Sequence, residues 1–88
     1  MQIIEIDINK IVPNKYNPNQ MTDKQFKALI KSIELYGQVR PVICKPASKK
    51  SFYEIIDGEH TLKAMKYLKQ DKINIIKIYI INISFKVK

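Results

Sequence analysis

Eighty-eight residues with 45% apolar content and a net charge of +8 can build one modest core; they exclude a disordered chain and an enzyme with separate cofactor and substrate domains. The lone cysteine, Cys44, and the lone histidine, His60, exclude an internal disulfide and leave no ligand set for structural zinc. The N-terminus, Met1-Gln2-Ile3-Ile4-Glu5, lacks a basic segment followed by an apolar one, and no stretch approaches the ~20 apolar residues of a membrane span, so a cytoplasmic protein without a membrane partner is expected.

In chain order, Ile4, Ile6 and Ile8 alternate with Glu5 and Asp7, which predicts a half-buried strand. Asn14 to Asn19 is a run of turn formers and reads as a loop. Thr22 with Gln25 three residues on is a capping box, and Phe26, Leu29, Ile30 and Ile33 give the following helix one apolar face. Gly37 closes it. Pro41 to Lys45 and Phe52 to Ile56 read as strands, and their short polar connection favours an antiparallel hairpin. Asp57-Gly58 breaks the second of these. A helix is then expected from about Glu59 to Lys69, burying Leu62, Met65 and Leu68 and exposing Lys63, Lys66 and Lys69. In the tail, Ile76, Ile78 and Ile80 alternate with Lys77 and Tyr79, and Ile81, Ile83, Phe85 and Val87 alternate in the opposite phase. A ribbon this apolar is expected to be covered, either by another element or by a second copy in a homodimer. The order strand, helix, strand, strand, helix, strand predicts a small α+β (mixed α/β) domain spanning 1–88.

The charge is uneven. Residues 1–36 carry five lysines against four acids, residues 37–88 eleven basic residues against four acids. So basic a second half fits a nucleotide or a nucleic-acid backbone as partner, against a merely solubilising lysine-rich surface as the alternative.

The sharpest local feature is the strand–Asp57-Gly58–helix junction. A strand that runs into a glycine turn at a helix start leaves backbone N–H groups pointing outward at the positive end of the helix dipole, an arrangement that holds phosphate. Gly58 admits close approach to the backbone. His60 and Thr61 can donate to phosphate oxygens, and Lys63 adds charge one turn on. Glu59 can hold a metal that accompanies a triphosphate, or act as a catalytic base. The plainer reading is structural: Asp57 as a cap, Glu59 as a first-turn acid, Lys63 as its i,i+4 partner. The five tyrosines, at 16, 36, 53, 67 and 79, are scattered and do not indicate a stacking platform.

Four blocks occur in a fixed order: Val12-Pro13-Asn14 with Asn17-Pro18, Leu29 to Ile33, Gly37-Gln38-Val39-Arg40-Pro41-Val42-Ile43, and Tyr53 to Ala64. Together, from about Ile6 to Ile80, they resemble the N-terminal domain of ParB and the wider ParB/sulfiredoxin-like family. The resemblance implies one nucleotide pocket, for CTP or ATP with or without Mg2+, formed here by Gln38, Arg40, Pro41, Gly58, Glu59, His60 and Thr61. It implies a role in plasmid, phage or chromosome DNA partition, with DNA as a second partner. It also admits a nuclease or small-molecule kinase using Glu59, or a DNA-contact domain that ignores nucleotide. The sequence departs from the family pattern where Thr61 replaces the arginine of the Gly-Glu-x-Arg block, and where Glu59 stands at the cysteine position of sulfiredoxins, which argues against sulfiredoxin chemistry.

Overall fold

The computed structural model describes residues 2–13 and 20–79. In chain order these form β1 (Ile3–Asp7), β2 (Ile11–Val12), α1 (Asp23–Tyr36), β3 (Val42–Pro46), β4 (Tyr53–Asp57), α2 (Glu59–Tyr67) and β5 (Lys72–Lys77). The strands make one sheet in the order β1-β5-β3-β4-β2. β1 and β5 pair antiparallel, as do β3 and β4, whereas β3 with β5 and β2 with β4 are parallel. The expected hairpin is therefore present, and the mixed α/β architecture is as the sequence predicts.

β1 ends one residue before Ile8. The Asp7 carboxylate accepts from the Asn9 N–H at 2.8 Å and turns the chain into a single 3-10 turn over Ile8–Lys10. Ile8 still faces the core, its N–H donating to the Asp71 carbonyl at 2.9 Å. The turn delivers Ile11 and Val12 beside Tyr53 and Glu54 as a two-residue strand that alternation does not predict.

α1 begins as a full capping box: the Gln25 N–H donates to Thr22 Oγ1 at 3.1 Å, and the Thr22 N–H to Gln25 Oε1 at 3.0 Å. Asp23 in the first turn complements the dipole. Phe26, Leu29, Ile30 and Ile33 pack on the core as their spacing requires. Gly37 ends the helix with φ +77° and ψ −169°, a region open in practice only to glycine, and its N–H donates to the Ile33 carbonyl at 2.8 Å.

α2 buries Leu62, Ala64 and Met65, and the edge of the Phe26 ring meets the Tyr67 ring at a centroid distance of 6.4 Å, joining the helices. It is shorter than the sequence suggests. The helix stops at Tyr67, because Lys69 adopts φ +60° and the Gln70 N–H turns back to the Met65 carbonyl at 3.0 Å. That is a Schellman-type ending with lysine where glycine is usual. β5 begins at Lys72, earlier than the tail alternation suggests. Ile73 and Ile75 are its buried side chains, and with Val42, Cys44 and Ile55 they form the centre of the core. The loop 14–19 and the change of phase at Ile80-Ile81 lie outside the described residues.

The Lys69 turn makes a direct stability prediction. Lys69→Gly removes the left-handed strain and should stabilise the fold by about 0.5–1 kcal/mol, a rise of roughly 2–8 °C in Tm. Lys69→Val, with a branched Cβ in the same conformation, should lower Tm. Thermal melts of the three proteins by circular dichroism check both signs.

Candidate functional site

β4 passes into α2 through Gly58, which has φ +106° and ψ +25°. The first bond of the helix runs from the Leu62 N–H to the Gly58 carbonyl at 3.0 Å. The amides of Glu59, His60 and Thr61 therefore have no acceptor within the helix, and no side chain caps this end. Asp57 does not serve as the cap; it belongs to β4 and pairs with Ile43. Among the described residues no group fills this amide cluster at the positive end of the α2 dipole.

The structural need for glycine at this point differs from the one the sequence suggests. A Cβ on Gly58 would lie 3.1 Å from Val42 Cγ2 and 3.3 Å from Val42 Cα. The missing side chain lets α2 start against the first residue of β3, and the space it vacates is filled by Val42. This contact also sets the second half of the site. Arg40 and Pro41 immediately precede Val42, so the loop between α1 and β3 is held alongside the start of α2.

Within that loop Gln38 has a structural task. Its carboxamide accepts from the Asn74 N–H at 2.8 Å and donates to the Asn74 carbonyl at 2.9 Å, and the same nitrogen reaches the Arg40 carbonyl at 3.0 Å. The side chain thereby extends β3 upstream by one pseudo-residue, completing the ladder against β5. Its polar atoms are engaged by the protein itself. A groove of about 460 Å3 opens beside Gly37 and Gln38 between the C-terminal ends of the two helices, at the far end of α2 from the open amides.

The remaining candidate residues are free to act. Arg40 and Lys63 are exposed, and Pro41, Glu59, His60 and Thr61 are half-buried. Among the described residues, the side chains of Arg40, Glu59, His60, Thr61 and Lys63 make no hydrogen bond or ion pair. The single ion pair there is Lys45 with Glu54 at 3.9 Å. The i,i+4 pairing of Lys63 with Glu59 is therefore not formed, and neither Asp57 nor Glu59 orients His60. No group of three or more metal-ligating side chains occurs among the described residues; Glu59 offers one carboxylate to a cation. Cys44 is fully buried in the middle of β3. Burial pushes its thiol up to about 11, which removes it from nucleophilic chemistry.

Comparison with known proteins decides the family. The family model of the ParB N-terminal domain matches residues 1–84. This chain belongs to the ParB N-terminal domain family. The nucleoid occlusion protein of Bacillus subtilis is 33% identical over 73 residues, which are 82% of this chain and 26% of that protein. The ParB-type chain thus spans about a quarter of the length of the curated relatives it matches. Among solved structures, C-terminally truncated ParB from Caulobacter crescentus complexed with CTP-gamma-S aligns with a TM-score of 0.83 at 19% identity, covering 93% of this chain and 47% of that one. A free serine kinase mutant in complex with AMP aligns at 0.70 and 21% identity, covering 86% and 30%. Sulfiredoxin from Arabidopsis thaliana aligns at 0.76 and 19% identity, covering 98% and 94%. These likenesses establish the ParB/sulfiredoxin-like fold.

Two measurements probe this geometry. Gln38→Ala strands the Asn74 N–H and carbonyl, and should cost about 1–3 kcal/mol in a urea melt without any ligand present; a silent substitution would mean the Gln38 bridge contributes nothing. For Cys44, the folded value lies above the unfolded one, so its contribution to stability is complete below about pH 9 and is lost as pH rises toward 11. The native thiol should resist a disulfide reagent at pH 8 and react at once when the chain is unfolded. Rapid labelling of the native protein at pH 8 would contradict this.

Proposed function

We propose that this ParB-type domain binds the phosphates of a nucleoside triphosphate, CTP or ATP, at the start of α2, and acts in DNA partition or a related DNA-handling process in the cytoplasm. One observation carries the reading: α2 starts at a glycine that supplies no side-chain cap, so the amides of Glu59, His60 and Thr61 lack an acceptor within the helix, while Lys63 on the same helix and Arg40 in the loop before Val42 are exposed cations with no ion pair among the described residues. Unbonded backbone donors at a helix start, with cations on the same helix and on a neighbouring loop, favour an anion there. The nucleotides held by the ParB and free serine kinase structures support it. DNA as second partner rests on the same Caulobacter protein, which is also known complexed to the centromeric parS site. The whole described chain serves this reading as one module. Glu59 then has a double effect. Its charge stabilises the empty helix end but repels phosphate, so a divalent cation between them turns it from competitor to ligand.

Thermal-shift and calorimetric titrations with CTP, ATP and GTP, with and without magnesium, test the proposal. CTP or ATP at about a hundred times its Kd should stabilise the fold by ~2.7 kcal/mol. Arg40→Ala should weaken binding by about tenfold or more. Thr61→Arg, which introduces the guanidinium of the family pattern, should strengthen it by a similar factor. Glu59→Gln should improve binding without magnesium and reduce the benefit of adding it. Absence of stabilisation by every nucleotide under both conditions overturns the reading.

A further inference from the structure

Three strand ends meet at the opposite end of β4 from Gly58. The β3–β4 hairpin closes there, with the Ala47 N–H donating to the Phe52 carbonyl at 2.9 Å and the Phe52 N–H to the Lys49 carbonyl at 3.1 Å. The entry to β2 lies alongside, since Ile11 pairs with Tyr53. β5 arrives in parallel with β3, and the Ile78 N–H donates to the Cys44 carbonyl at 2.8 Å, which carries the chain on to Tyr79. Folding thus assembles Phe52, Tyr53 and Tyr79 from distant parts of the sequence around one groove of about 500 Å3.

Lysines are interleaved with these rings. The Nζ atoms of Lys10 and Lys49 lie 4.6 and 4.5 Å from the centre of the Phe52 ring. Lys77 Nζ sits between Tyr53 and Tyr79, at 5.9 and 5.6 Å. None of these three lysines has an acidic partner among the described residues. Contacts of this kind are weak at an exposed surface, so an ammonium leaves its ring easily when a better anion arrives. A phosphodiester provides that anion, and an unpaired base provides a flat face for the ring the lysine vacates. A duplex offers only the phosphates, because its bases are already stacked.

We propose that this hairpin-end groove is a binding site for single-stranded nucleic acid, with Phe52, Tyr53 and Tyr79 stacking on unpaired bases and Lys10, Lys49 and Lys77 contacting the backbone. It is separate from the amides at Gly58, which lies five residues along from Tyr53, about 17 Å away.

Fluorescence anisotropy of the whole chain with a labelled oligothymidylate about fifteen nucleotides long, and with a duplex of the same length, tests the assignment. The single strand should bind about tenfold more tightly than the duplex. Tyr79 is 69% exposed, so Tyr79→Ala leaves the fold intact and should weaken single-strand binding about tenfold, while Tyr79→Phe should retain it. Lys49→Ala and Lys77→Ala should each reduce the dependence of log K on log salt by ~0.7. Tyr36→Ala, an equally exposed tyrosine at the end of α1, should change nothing. A duplex bound as tightly as the single strand, with Tyr79→Ala silent, overturns the proposal, as does no binding of the single strand. Neither result bears on nucleotide binding at Gly58, which the titrations above read separately.

Discussion

The contact between Gly58 and Val42 is the constraint on which the rest of the structure turns. A Cβ at residue 58 would come within 3.1 Å of a fully buried side chain in the centre of the core, so Val42 would have to give by a few tenths of an ångström inside a close-packed core. The left-handed φ of +106° points the same way. With those two demands met, β4 turns sharply, α2 starts against β3, and the first-turn amides of α2 are left without a side-chain cap near the loop that carries Arg40. The same feature that packs the core therefore leaves those amides uncapped, on a backbone held by the core.

The loop facing these amides is fixed by a different device. β3 begins at Val42, which leaves Asn74 of β5 with no backbone neighbour on that side. The Gln38 carboxamide fills the gap with a donor and an acceptor in the spacing of a peptide group. An ordinary strand residue there would have straightened the chain and carried Arg40 away along the sheet. Borrowing a side chain to finish the ladder lets the backbone turn out of the sheet while the hydrogen-bond count is kept. Gly37, in a conformation open to few other residues, supplies the bend just before it.

What could be read from the sequence follows the range of each interaction. The α1 capping box, its apolar face, the hairpin and the break at Asp57-Gly58 are local patterns, and each is present. The boundaries that shifted were decided by contacts between distant residues. β2 exists because Tyr53 and Glu54 lie beside it, and two residues give no periodicity of their own. Gln38 looks like a ligand residue until Asn74, far along the chain, is placed against it. The tyrosines look scattered because Tyr53 and Tyr79 meet only through the parallel pairing of β3 with β5. Gly58 was legible as a turn, but the Val42 side chain that crowds a Cβ there was not. The left-handed Lys69 carries no sequence signal at all, since lysine elsewhere is a good helix former.

The two sites proposed at the ends of β4 differ in how they would hold phosphate. At Gly58 the donors are backbone amides on a packed helix, fixed in direction before a ligand arrives, so little ordering entropy is lost on binding. A site of this kind discriminates by geometry and suits a compact triphosphate. At the hairpin end the charges are long, mobile side chains resting on aromatic faces, which adapt to a flexible backbone but hold no single phosphate rigidly. At the proposed Gly58 site, Thr61 in place of the arginine of the family pattern would leave directionality to the amides. Three of the lysines, Lys10, Lys49 and Lys77, rest on aromatic rings at the hairpin end, where loose electrostatics, not fixed geometry, is the useful property.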